Sequence, residues 1–505
     1  MKKRVIIIGA GVGGLATACI LGQAGYDVTV CEKNSLPGGR AGTFDAEGFR
    51  FDTGPSWYLM PDIFEQFFKL LGEDVNKHLN LRRLEPSYRV FFKDTLFGAV
   101  DIIGDVERDG KTLESLEPGA RSKLQAYLEK SSYHHKLALD NFLYKNYNSV
   151  RDFFSLQMLT EGLKMNVFSS MHNYVSKYFS SPEVQKIMQY PLVFLGASPR
   201  NAPALYSMMS HVDFNQGVFY PMGGMYKLTE ALVNMAEARN VKIVCDSPVK
   251  SIAVKNSKAI GVILENGEKI ESDMVVSNAD IAYTEQSLLK PANRSYTDKY
   301  WKKRVIAPSA MLMYLGVKKA YPSLKHHNLV FSKDWDANFK AIFDTQTWPS
   351  DPSFYVCNPN KTDPWVAPEG HENLFVLVPL PAATNYTNEE LEQYSDWVIN
   401  TMDRVMHLDD LKKNIIYKKT VCAKDFESQF NSYHGTALGL AHTLRQTAVF
   451  RPSNKSKKVK GLYYVGANTS PGIGLPMCLI SAQLVYKRLI GDKSSKPLES
   501  VGSES

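Results

Sequence analysis

The chain has 505 residues, of which 44% are hydrophobic and 22% charged, and carries a net charge of +7. That balance excludes a disordered chain and a multi-span membrane protein, and so mild a cationic excess suits an anionic membrane surface better than nucleic acid, which is not expected as a partner. The six cysteines are scattered without a CxxC pair or other metal-ligand spacing, so free thiols in a reducing, cytoplasmic compartment and no metal are expected.

Residues 5–8 read as a strand that runs into Gly9, Gly11 and Gly14, and a helix follows with Leu15, Ala18, Cys19 and Gly22 on one face. A second strand, 27–31, ends at Glu32, which lies 23 residues beyond Gly9 and can accept hydrogen bonds from a ribose hydroxyl. Strand, glycine turn, helix, strand and acid in that order predict a dinucleotide whose pyrophosphate meets the helix N-terminus. The uncharged run 5–24 after three basic residues also has the look of a targeting or membrane segment, but its glycines and the acid-ended strand behind it argue against that reading. Two turn-rich loops follow, one with Gly39 and Arg40, the other with Gly54, Pro55 and Ser56; Arg40 can pair with a phosphate.

Between Arg151 and Leu195 aromatic and methionine residues interleave with Lys164, Lys177 and Lys186, a composition that fits an interfacial, membrane-facing surface. Residues 217–280 return to a nucleotide-domain pattern: a glycine loop at 223–224, an amphipathic helix to Ala238, then strands at 241–245, 249–254, 259–264, 269–270 and 274–277, with Asn266-Gly267 as a hairpin turn. A last strand ends at Gly466, and a second glycine turn, 472–474, opens a helix whose N-terminus can also face a cofactor. The division this predicts is a discontinuous cofactor domain of residues 1–95, 217–292 and 451–490, an inserted substrate and membrane-facing domain of residues 96–216 and 293–450, and a disordered tail, 491–505.

These motifs, above all Asn431-Ser-Tyr-His-Gly-Thr-Ala with Phe450-Arg-Pro, and Val465-Gly-Ala-Asn-Thr-Ser-Pro-Gly-Ile-Gly-Leu-Pro, resemble those of the bacterial-type carotenoid desaturases, flavoproteins typified by phytoene desaturase, over most of the chain. The resemblance implies an α/β fold with a Rossmann-like FAD-binding domain of the glutathione reductase/amine oxidase type, an inserted α+β substrate domain and a helical membrane-facing region. It implies non-covalent FAD, with Gly9, Gly11 and Gly14 at the pyrophosphate, Glu32 at the ribose, and Arg40 at a phosphate or flavin edge. Val249 would meet the adenine, Gly466, Gly474 and Met477 would cover the flavin part, and Gly39, Gly54, Pro55 and Ser56 would stand near it. Asn468 departs from the acid that many related flavoproteins place there.

The implied reaction is desaturation of phytoene to lycopene or a related polyene, by an enzyme peripheral to the cell membrane that draws its carotenoid from the bilayer and passes electrons to oxygen or a quinone. Such a reaction asks the protein for orientation, a dry tunnel and a base. Arg151 and Asp152 are the candidate catalytic pair, with His211 and His434 as further candidate bases. The alternatives are a desaturase or oxygenase of another carotenoid (hydroxylated or C30), a flavin amine oxidase, and a non-catalytic prenyl-binding carrier.

Overall fold

Alternation along the first strand, Arg4–Ile8, decides how the nucleotide-binding part is layered. In the structure, a computed structural model that describes residues 2–93, 98–147 and 169–502, Val5 and Ile7 face one side of a parallel sheet and Ile6 and Ile8 the other. The sheet runs Leu462–Tyr464, Met274–Ser277, Arg4–Ile8, Asp27–Cys31, Lys242–Val244, all pairs parallel. Both faces are buried, which is why its strands read as unbroken apolar runs. On one face lie the helices Val12–Gln23, Tyr226–Glu237 and Leu475–Ile490; the opening helix is buried from Val12 to Leu21, and a Cβ on its Gly22 would sit 2.9 Å from Val241 Cγ2. On the other face lies an antiparallel sheet of Val249–Lys255, Lys258–Leu264 and Lys269–Glu271, with Gly267 in the left-handed conformation its hairpin turn needs.

A second sheet runs Ile415–Val421, Ser309–Val317, Glu372–Leu380, Phe354–Cys357, His327–Phe331, Tyr88–Phe92, Ala99–Ile102, and is antiparallel except where His327–Phe331 meets Tyr88–Phe92. Tyr88–Phe92 and Ala99–Ile102 straddle the boundary expected at residues 95–96, and both belong to this sheet. Its Met311, Met313, Val376 and Val378 pack on the helix Asn388–Met406, whose Thr387 and Glu390 form a capping box. Its other face, with Leu312, Leu329, Phe331 and Tyr355, is covered by the helices Ala120–Ala138 and Pro182–Gln189 and their neighbours. The central cavity lies under this face.

Two expectations change here. In the aromatic stretch after Arg151, the described residues Met171, Tyr174, Val175 and Phe179 are buried, Tyr174 and Phe179 against Tyr127, so this part is core rather than an interfacial surface. A helix of only five residues, Met171–Val175, turns the first three of these side chains inward together. Residues 491–502, expected to be disordered, lie along the closing helix. There Leu498 is buried, its amide donates to Gln483 Oε1, and the Lys487 ammonium donates to the carbonyls of Ser494 and Lys496. One apolar anchor and one buried cation outweigh the polar composition of the segment. Among the described residues, no helix is long and apolar enough to cross a membrane.

Candidate active site

The first strand stops at Gly9, whose φ of +92° admits few other residues, and the opening helix begins with Gly11 as a cap that offers no side chain to its free amides. No acidic residue occupies the first turn, so nothing on the helix itself neutralises the positive end of its dipole. The backbone here is close-packed: a Cβ on Gly14 would lie 2.2 Å from the Gly9 carbonyl oxygen, one on Gly11 2.7 Å from Asn278 Oδ1, and one on Gly466 2.6 Å from Asn278 Nδ2. Glu32 is buried at the strand end; its Oε2 accepts from the Ala10 amide (2.7 Å) and its Oε1 from the Asn34 amide (2.8 Å), leaving lone pairs for a diol. The closing helix presents a second such terminus, capped by Gly474 at φ +120° with Pro476 in its first turn.

Both termini border one cavity of about 1150 Å³. Of the residues expected at a cofactor, Gly9, Gly11, Glu32, Gly39, Arg40, Gly54, Pro55, Ser56, Val249, Gly474 and Met477 line it, while Gly14 and Gly466 stand one layer behind. Arg40 reaches into it with its Nε buried and without a hydrogen-bond partner among the described residues; its Nη2 donates to Ser432 Oγ (2.5 Å) and, at 3.4 Å, to the Thr436 carbonyl. Burial lowers the Arg40 pKa, against the pull of Asp280; burial likewise raises that of Asp280, against the pull of Arg40. Asp280 accepts from the Ala282 amide (2.8 Å) and from Asn468 Nδ2 (2.8 Å), so Asn468, which departs from the acid of many related flavoproteins, bonds to a neighbouring acid instead. Two bare helix termini, glycines that leave the backbone uncovered, a buried acid and an orphaned guanidinium nitrogen fit a dinucleotide flavin.

Away from the glycines the wall becomes apolar and aromatic: Trp57, Leu59, Tyr190, Phe194, Leu312, Phe331, Trp335, Phe354 and Tyr355. Leu444 and Phe450 also line the cavity although they are 39% and 42% exposed, so the cavity opens on their side. Lys145 and Tyr147 line it too, directly before residues 148–168; Arg151 and Asp152 fall there, outside the described residues. Neither His211 nor His434 is part of this wall: His211 bonds Ser132 Oγ through Nδ1 at 2.6 Å, and His434 is exposed at a left-handed turn. The histidine that does line it is His442. It packs where a Cβ on Gly472 would be 2.1 Å from its Nε2, its Nδ1 is buried without a partner among the described residues, and burial beside Arg451 holds its pKa well below the usual imidazole range. Sequence reasoning had no signal for this, since His442 sits in an irregular segment between blocks that drew attention for their glycines.

Behind Tyr190, the buried Asp213 carboxylate accepts from Tyr88 (2.7 Å) and Tyr190 (3.1 Å), and burial raises its pKa to about 7. An acid whose folded pKa exceeds its unfolded value binds the proton more tightly when folded, so its contribution to stability is full at low pH and is lost as pH rises to about 7. Relative to D213N, the parent protein is expected to gain about 2–3 kcal/mol between pH 8 and pH 5, from about 1.4 kcal/mol per unit. Urea melts of both proteins at the two pH values check this; parallel profiles would contradict it. A second expectation concerns the turn: Gly14→Ala should weaken FAD binding about 5- to 150-fold, an overpacking cost of about 1–3 kcal/mol, read from the flavin absorbance of protein purified and then diluted.

The fold and this site define an FAD-dependent oxidoreductase. The chain belongs to the family of flavin containing amine oxidoreductases, whose model matches residues 12–489. It is 45% identical to a carotenoid 3,4-desaturase of Haloarcula japonica over 97% of this chain and 98% of that one. It is 36% identical to a zeta-carotene-forming phytoene desaturase of Myxococcus xanthus, over 97% and 94% of the two chains. Among solved structures it is similar in fold to an oxidoreductase from Methanosarcina mazei, with a TM-score of 0.63, 18% identity and coverage of 96% of this chain and 100% of that one.

Proposed function

We propose that the chain desaturates a carotenoid, converting phytoene to lycopene or a related polyene. The observation that carries this is the continuity of the cavity: one space of about 1150 Å³ joins the dinucleotide cradle to a long aromatic wall. A flexible hydrocarbon offers no group for ionic recognition, so a site for it must work by shape and by excluding water. In this reading the glycine turns, Glu32 and Arg40 would hold FAD, which would supply the hydride-accepting chemistry. Trp57, Tyr190, Phe331 and Tyr355 hold the chain against that end and keep it dry. His442, a neutral imidazole on the same wall, takes the proton lost from the adjacent carbon, and Arg151 with Asp152 is the further candidate catalytic pair. The Leu444–Phe450 side is the way in from a membrane surface, and oxygen or a quinone takes the electrons.

A second reading, introduction of a 3,4 double bond into a carotenoid that is already conjugated, is favoured by the 45% identity to the Haloarcula protein. Separate incubations with phytoene and with lycopene in liposomes, followed by chromatography of the extracted polyenes, divide the two. Consumption of phytoene with new long-wavelength bands supports the first reading. Consumption of lycopene alone supports the second, and loss of neither polyene from FAD-loaded protein overturns both.

A further inference from the structure

Behind the cavity wall, two histidines and a cysteine meet in the core of the second sheet. His327 and Cys357 are paired residues of neighbouring antiparallel strands, so their side chains share one face; His326 joins them from the start of the strand. One donor atom from each of His326, His327 and Cys357 lies within 4.8 Å of the others, and all three residues are buried, His326 at 3%, His327 at 0% and Cys357 at 4% exposure.

The hydrogen bonds of the two imidazoles follow one pattern. His326 Nδ1 is bonded to Thr362 Oγ1 at 2.7 Å, and His327 Nδ1 to the Tyr355 hydroxyl at 2.6 Å, which in turn bonds Ser56 Oγ at 2.8 Å. Both Nε2 atoms are buried and have no partner among the described residues. Imidazoles that ligate a metal through one nitrogen and are oriented by a hydrogen bond from the other show this arrangement. Buried polar atoms are otherwise almost always paired, and two unpaired on adjacent rings call for an explanation. Cys357 also borders a separate void of about 20 Å³, shared with Ser56, Tyr220 and Asp52 but lined by neither histidine.

We propose that His326, His327 and Cys357 form a structural site for a zinc-class cation, with water as the fourth ligand. Two imidazoles and a thiolate select a borderline or soft d¹⁰ ion over calcium or magnesium. Bond lengths of about 2.0–2.1 Å to nitrogen and about 2.3 Å to sulfur put the donors closer together than 4.8 Å, so binding draws the side chains inward by roughly 1 Å. The Cys357 thiol, pushed up to about 12 by burial, gives up its proton to solvent as the Zn–S bond forms, while both histidines bind neutral. Ligation through Nε2 fixes the Nδ1–H tautomer, so His327 donates to Tyr355 and Tyr355 donates to Ser56. His327 stacks on Trp57 at 4.2 Å between ring centroids with planes 8° apart. The ion therefore stiffens the wall on which Trp57 rests.

The test uses FAD-loaded protein stripped with a chelator, then given Zn²⁺ or Co²⁺ and passed through a desalting column. One metal per chain is expected, with a thiolate-to-cobalt charge-transfer band for the Co²⁺ form. Cys357→Ser should abolish that band, and Thr362→Val, which leaves all three ligands in place, should weaken Zn²⁺ binding about 10–100-fold. Unchanged flavin content in both variants marks them as folded. Substoichiometric metal in the parent protein, or equal retention by flavin-loaded C357S, overturns the proposal.

Discussion

Replacing Arg451 by methionine is expected to remove about 3–5 kcal/mol of stability, several carbonyls losing their partner at about 1–3 kcal/mol each. Arg451 is 4% exposed, and its guanidinium donates to the carbonyls of Thr469 (3.0 Å), Gln446 (3.2 Å), Leu440 (3.1 Å) and Ala467 (2.7 Å). These acceptors come from two irregular segments, 440–446 and 467–469, that have no ladder of their own to satisfy them. Burial lowers the Arg451 pKa to about 10, so the side chain stays charged at neutral pH and the desolvation cost is standing. The carbonyls decide the sign: methionine relieves that cost but leaves every one of them unpaired in a dry interior. R451K keeps the charge without the planar fork and should fall between the two. Since Ala467, Asn468, Ile473 and His442 all line the cavity, R451M should also shed FAD on dilution. Thermal melts and flavin retention measure both effects; an R451M melt within a degree of the parent would contradict the assignment.

Exchanging His442 for glutamine should lower the desaturation rate about 100-fold or more, the scale for loss of a positioned acid–base group. Glutamine matches the reach of the ring but cannot take up a proton at neutral pH. Burial and Arg451 hold the imidazole neutral, so one ring nitrogen keeps its proton and the other has a lone pair with which to accept one. FAD content and KM should change little, because the wall stays filled, so the loss should fall on kcat. A matched loss of flavin would assign His442 a packing role against Gly472 instead.

The parallel sheet was legible because its signals are local. A glycine turn, an acid at the end of the second strand, the Asn266-Gly267 hairpin and the apolar run at 274–277 each declare themselves within a few residues, and every one of them falls in the expected element. The second sheet was harder to read: central strands such as 309–317, 327–331 and 354–357 are buried on both faces, and their apolar runs do not state their partners. The aromatic stripe misled for a related reason, since composition records what Tyr174 and Phe179 are but not that Tyr127 covers them. Within the site, the residues that approach a cofactor through bare backbone could be found from glycine spacing. Those that act through side chains brought together from afar could not. His442 against Gly472, Asp213 under two tyrosines, and Cys357 opposite His327 are pairings of register and packing with no linear spacing to mark them.

Carotenoid desaturation by a cofactor held in the glycine cradle is tested most directly by a single anaerobic turnover. FAD-loaded protein is mixed with phytoene, or with lycopene, in liposomes without an external electron acceptor, and the flavin spectrum is followed while the polyenes are extracted. Bleaching of the visible flavin band in step with one new double bond per flavin is the expected result. A flavin that stays oxidised with either polyene, and bleaches with an amine instead, would contradict the account.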